Sequence, residues 1–283
     1  MTYQPPNDLS GTAAIVSGAS RGIGRIYALA LAKAGAKVLA TARTVEGDPN
    51  EIGSLAELVA TAKAEGVEIS ACKVDMMDKA SIEAAVATCI ERYGRLDALV
   101  NNAVWGVTAK LPALGISDEE WEGAFRVNVL GNYHFMGAAM PYLTQDGGGA
   151  IINLTTLGAR PSKQGAKAHG FPTYAVTKAA LERLTTYCGV EFAKQGVAVN
   201  AISPGHAEFY MRDGRQPDID YWGSPMVHLA AQRLPGGFSG EVVHTYEYGT
   251  RWGPEFSEPP QRDERLTKML EYADEPFGYF RQR

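Results

Sequence analysis

Apolar positions along this chain follow two alternating rhythms. Short continuous apolar runs read as strands covered on both faces: "AAIVS" (13–17), "KVLATA" (37–42), "EISACKV" (68–74), "LDALVNNA" (96–103), "GAIINLTT" (149–156), "VAVNAIS" (197–203) and "GEVVHTY" (240–246). Between them, apolar residues return every three or four positions, the period of a helix with one buried face. A helix is expected over about 22–34, with Gly35 as its stop. Leu55, Leu58, Val59 and Ala62 mark a second helix. Ile82, Ala85, Val86, Cys89 and Ile90 mark a third, with Ser81 as its cap. Ser117-Asp118-Glu119-Glu120 has capping-box spacing and opens a helical stretch into 121–143. A long helix is expected over roughly 172–195.

Repeated strand–helix units predict an α/β fold with a doubly wound parallel sheet. After Gly249 the periodicity stops; "TRWGPEFSEPPQ" is Pro-rich, and Leu266, Met269 and Leu270 mark a short helix beyond it. The expected organisation is a domain over 1–249, with a substrate-binding segment at 204–239. A tail over 250–283 is expected to pack on that domain or on a neighbouring subunit.

Composition narrows the function. The chain has 283 residues, 45% hydrophobic and 21% charged, enough for a sizeable core. A net charge of -5 argues against a nucleic-acid partner. The stretch Val127 to Gln145 is uncharged but contains Asn128, Asn132, His134 and Pro141, so it reads as a buried helix and not a membrane span. Cys72, Cys89 and Cys188 are widely separated and read as reduced thiols of a cytoplasmic protein. The N-terminus has no signal-peptide layout, and no His/Cys cluster suggests a metal.

Two groups of residues suggest chemistry. In Ser17-Gly18-Ala19-Ser20-Arg21-Gly22-Ile23-Gly24, three glycines lie where a strand turns into a helix. Glycine lets the backbone approach a ligand, and the helix N-terminus offers unpaired N–H groups to an anion. This suits a dinucleotide pyrophosphate. Tyr174 and Lys178 are four apart and share one helix face. The spacing by itself leaves open an idle surface contact or a phenol tuned by an ammonium.

The order of these motifs resembles the short-chain dehydrogenase/reductase family over about residues 10 to 246. The loop is similar to its T-G-x-x-x-G-x-G turn, Asn101-Asn102-Ala103-Val104 to its N-N-A-G, and Tyr174-x3-Lys178 to its catalytic pair. Asp75, Asn128 and Ser203-Pro204-Gly205 fall where the family carries an adenine-binding Asp, an active-site Asn and a nicotinamide-side segment. The resemblance implies a Rossmann fold holding NADP(H) through Gly18, Ser20, Arg21, Gly22, Ile23, Gly24, Arg43, Asp75, Asn101, Ala103, Pro204 and Gly205, together with Tyr174 and Lys178. It implies catalysis by Asn128, Thr156, Tyr174 and Lys178, interconverting a small-molecule carbonyl and an alcohol. Asn128 would link Lys178 to a water chain. A homodimer or homotetramer through 121–143 and 172–195 is implied as well.

The preference for NADP(H) rests on the end of the second strand. There Thr41-Ala42-Arg43 puts Ala42 where an NAD site carries an acid, and Arg43 with Arg21 can grip a 2′-phosphate. Several positions depart from the family. Thr155-Thr156 replaces the active-site Ser, with Thr156 the better match and Thr155 the alternative. Val104 replaces a Gly, and Phe209 a Thr. An insertion within 159–172 carries Lys163, Lys167 and His169. Trp105, Leu157, Phe209, Tyr210 and Trp222 are candidates for an aromatic pocket wall or for core. The Ser-to-Thr change also leaves open a catalytically impaired NADPH sensor of the same fold.

Overall fold

The computed structural model describes residues 4–47, 53–105, 113–160, 171–205 and 219–255. Its centre is a seven-stranded parallel sheet of order β3-β2-β1-β4-β5-β6-β7. The strands are β1 Ala13–Ser17, β2 Lys37–Ala42, β3 Ile69–Lys73, β4 Ala98–Asn101, β5 Ala150–Leu154, β6 Ala198–Ser203 and β7 Val242–His244. Every expected strand is present. The last is shorter than its apolar run, because Thr245–Glu247 tightens into a 3-10 turn.

The helices are α1 Gly22–Lys33, α2 Leu55–Ala64, α3 Lys79–Tyr93, α4 Asp118–Phe125, α5 Asn132–Leu143, α6 Pro172–Ala193 and α7 Ile219–Ala230. Between α4 and α5 the chain widens into one π-helical turn, Arg126–Gly131. Alternation along the strands fills both faces of the sheet. Ala14 and Val16 join a core with Tyr27, Leu31, Leu58, Trp222 and Met226. Ile15 joins the opposite core, with Val86, Phe135, Met136, Ile151 and Val199. Among the described residues no helix is long and apolar enough to cross a membrane.

Two points differ from expectation. The cap of α3 is Asp78, whose carboxylate accepts from Ala80 N at 2.9 Å; Ser81 lies inside the helix and accepts from Asp75 N at 3.1 Å. Helix α7 was not foreseen within 204–239. It buries Trp222, Met226, Val227 and Leu229, so Trp222 is core and not pocket wall. Packing continues past the periodicity break at 249. Trp252 is 1% exposed, its indole donates to His244 O at 2.9 Å, and the Tyr248 ring lies steeply inclined to it with ring centres 4.9 Å apart. The expectations for Lys163, Lys167, His169, Phe209, Tyr210 and 256–283 lie outside the described residues.

The amino end of the sheet is closed by a buried acid. Asp97, just before β4, accepts from Ala13 N at 2.8 Å. Arg95 grips it with two bonds of 2.8 and 2.6 Å, and Arg233 stands at 3.7 Å.

Candidate active site

The carboxyl end of the sheet is built differently. The strand order reverses between β1 and β4, which leaves a crevice past their ends. The turn leaving β1 needs glycine at Gly18, with φ +66° and a would-be Cβ only 2.8 Å from Ala103 Cα. Ser17 Oγ donates to Val100 O at 3.3 Å and accepts from Asn102 N and Ala103 N at 2.9 and 3.0 Å. The Asn102 amide donates back to Ser17 O and Gly18 O at 2.8 and 3.0 Å. The glycine turn is therefore stitched to the end of β4. At Gly24 a Cβ would run into that same Asn102 amide.

Helix α1 begins at Gly22 with Arg21 as N-cap, and Arg21 makes no side-chain cap bond. No acid occupies its first turn. The first-turn N–H groups and the helix dipole thus favour an anion. The groove in front is lined by Gly18, Ser20, Arg21, Thr41, Ala42, Arg43, Thr44, Val74, Asp75, Met76, Met77, Ala103, Val104, Trp105 and Val127. Arg21 and Arg43 are exposed on it, and no acid lies among Thr41–Thr44. Asp75 sits on the rim, its carboxylate accepting from Met77 N at 2.9 Å. An uncapped helix start and a carboxyl-edge crevice fit the pyrophosphate of a dinucleotide, and two guanidinium groups stand on the rim.

Next to the sheet end stands Lys178, with no exposed surface. Its ammonium donates to Leu154 O, the last carbonyl of β5, at 2.6 Å, and lies 5.7 Å from the centre of the Tyr174 ring. Burial pushes the Lys178 ammonium down to about 7, while the Glu182 carboxylate opposes that fall. The two threonines have separate partners. Thr155 Oγ donates to Glu182 Oε1 at 2.5 Å. Thr156 Oγ accepts from Gly158 N at 3.2 Å, capping the short turn Leu157–Ala159. Asn128, 1% exposed in the π turn, accepts from Trp105 N at 2.8 Å and donates to Thr177 Oγ at 2.9 Å.

Six of the anticipated cofactor residues line one groove: Gly18, Ser20, Arg21, Arg43, Asp75 and Ala103. Gly22 and Gly24 shape the turn, and half-buried Ile23 packs on the core. Gly205 has φ +75°, and Pro204 O accepts from the Trp222 indole at 3.1 Å. Asn101 is turned inward instead. Its amide donates to Asn153 at 2.9 Å, and Asn153 donates in turn to Thr185 at 2.8 Å. Thr177 and Glu182 carry no site role in the sequence reading, and each acts across a long separation in sequence.

Residues 12–220 match the family model described as short chain dehydrogenase. The chain belongs to the short chain dehydrogenase family. It is 37% identical over 196 residues to the short chain dehydrogenase mpl6 of Monascus purpureus, covering 69% of this chain and 64% of that relative's own length. The crystal structure of a short chain dehydrogenase from Mycobacterium smegmatis is similar with a TM-score of 0.71 and 26% identity, over 86% of this chain and 95% of that one. A metagenomic short-chain oxidoreductase in complex with NADP is similar with a TM-score of 0.69 and 29% identity, over 84% and 98% of the two chains. Short chain dehydrogenases are oxidoreductases that use a nicotinamide cofactor and act on small molecules.

Proposed function

We propose that this short chain dehydrogenase interconverts a carbonyl and a secondary alcohol with NADP(H), using Tyr174 as acid and base. The observation that carries the reading is the fully buried Lys178 ammonium one helical turn from Tyr174. A bound nicotinamide supplies the hydride, or takes it in the reverse direction.

The chain's own groups do the rest. A free phenol titrates near 10, too high for efficient proton exchange at neutral pH. An ammonium beside it favours the phenolate and lowers that value. Tyr174 then gives its proton to the substrate oxygen and recovers it in the alcohol direction. The Thr156 hydroxyl binds that oxygen, its extra methyl narrowing the pocket relative to Ser. Lys178 also holds the nicotinamide ribose. The first-turn N–H groups of α1 receive the pyrophosphate, and Asp75 meets the adenine. Arg21 and Arg43 hold a 2′-phosphate, which Ala42 does not repel. The Asn128 carboxamide is engaged by Trp105 and Thr177, which supports a role in holding the start of α6 against the π turn.

The assembly proposed is a homodimer or homotetramer. Exposed Phe125, Leu130, Tyr133, Val176 and Tyr187 lie on the helices such an interface would cover. The decisive experiment is NADPH oxidation across a panel of ketones and aldehydes. Turnover is expected for at least one carbonyl, with Tyr174→Phe lowering kcat/KM by about 10³-fold or more. Tight NADPH binding without turnover on any carbonyl would replace this reading with a sensor.

A further inference from the structure

Behind the catalytic pair lies a carboxyl with no role in the proposed chemistry. Glu182 stands four residues beyond Lys178 on α6, on the same helix face. Its Oε1 accepts the 2.5 Å bond from Thr155 Oγ. Thr155 is 1% exposed, and its own N–H is held by Ile202 O at 2.9 Å. The carboxyl is therefore clamped from the end of β5 and is not a loose surface group. The hydrogen bond from Lys178 to Leu154 O provides a dipole but no countercharge.

The charged groups acting on Glu182 are Lys178 from its own helix and Arg160 from the turn after β5. Arg160 is in turn drawn toward His244 Nε2 and the Tyr246 hydroxyl, both of which its guanidinium touches. Strands β5 and β6, against which α6 packs, carry no titratable side chain. The π turn contributes exposed Arg126, and α4, which also packs on α6, carries exposed Asp118, Glu119 and Glu122 together with Glu120, whose carboxylate accepts from the Trp105 indole at 3.0 Å; none of these four acids acts on Lys178. Among the described residues, Glu182 is thus the carboxylate placed to act on the buried ammonium.

We propose that Glu182, clamped by Thr155, is a positioning residue that keeps Lys178 in its ammonium form beside Tyr174. The inference rests on the proposed Tyr174–Lys178 catalytic pair. Burial brings Lys178 down to about 7 and pushes the Glu182 carboxyl up, the latter opposed by Thr155, Arg160 and Lys178. A charged Glu182 then raises the pH at which Lys178 gives up its proton, against the larger effect of burial.

The test reads Lys178 directly, by NMR of its 13C-labelled Cε, with the signal assigned by its loss in Lys178→Met. In Glu182→Gln the Lys178 midpoint should fall by about one pH unit, and in Glu182→Asp most of the wild-type midpoint should return. An unchanged midpoint in folded Glu182→Gln overturns the proposal. Should that variant not fold, Thr155→Val removes only the clamp; a smaller fall in the same direction supports the proposal, and no fall overturns it. Where a carbonyl is turned over, the pH profile of kcat/KM should move with the midpoint. A uniform loss of kcat at every pH, as from a merely structural glutamate, counts against it. The titration needs no substrate, so wild-type protein that reduces no carbonyl fails the catalytic reading while Glu182 is still judged on Lys178 alone.

Discussion

The two ends of one sheet satisfy their polar groups in opposite ways. At the amino end, Asp97 is surrounded: the Ala13 N–H, both arms of Arg95 and nearby Arg233 all converge on one buried carboxylate. At the carboxyl end, Lys178 donates to one carbonyl, and α1 starts with neither a side-chain cap nor an acid in its first turn. A closed end uses its charges to fix strand positions. An open end leaves donors for something that is not protein. That contrast, more than any one residue, marks the carboxyl edge as the working edge.

The sharpest way to break the contrast is at the closed end. Replacing Asp97 by Ala strands an arginine pair and a backbone N–H, so stability should fall by about 3 kcal/mol. Urea denaturation measures this, and NADPH affinity of the remaining folded protein should be unchanged. A matching loss of cofactor affinity would mean that the two ends are not separable.

At the open end, Arg43→Ala should weaken NADPH relative to NADH by about tenfold to a hundredfold without lowering the melting temperature. Competitive titration of the two cofactors measures it. Equal affinities in the wild type would remove the proposed 2′-phosphate contact.

The last effect concerns acid. Burial first, then the Arg160 charge, pushes His244 down to about 4, below its ordinary value of 6.5. The unfolded chain therefore takes up this proton first as pH falls, and stability is lost between about pH 6.5 and 4. The melting temperature should drop by a few degrees over that window, and His244→Gln should flatten the slope.

Local pattern carried the sheet, the glycine turn and the Tyr174–Lys178 pair, because each is written within a few neighbouring residues. It could not carry contacts between distant segments. Asn102 reaches the turn across 85 residues, Asn128 meets Thr177 across 49, and Thr155 meets Glu182 across 27. Helix α7 hid for another reason. Pro225 interrupts it, and a proline normally marks a break. Here the buried face formed by Trp222, Met226, Val227 and Leu229 outweighs the missing bond. Asp78 won the cap of α3 from Ser81 because the helix starts earlier than its apolar stripe does.

The π turn before α5 also sets the clocking of that helix. A π turn accommodates one residue more than an α-helical path would, and each residue rotates a helix by about 100°. Asn128 and the buried stripe of Phe135 and Met136 are thus aimed independently, the first at Thr177 and the second at the sheet. Individual letters in Arg126–Gly131 can vary while the aim is kept, but removing one residue would swing either the amide or the whole stripe off target. In this stretch the length of the text matters more than its spelling.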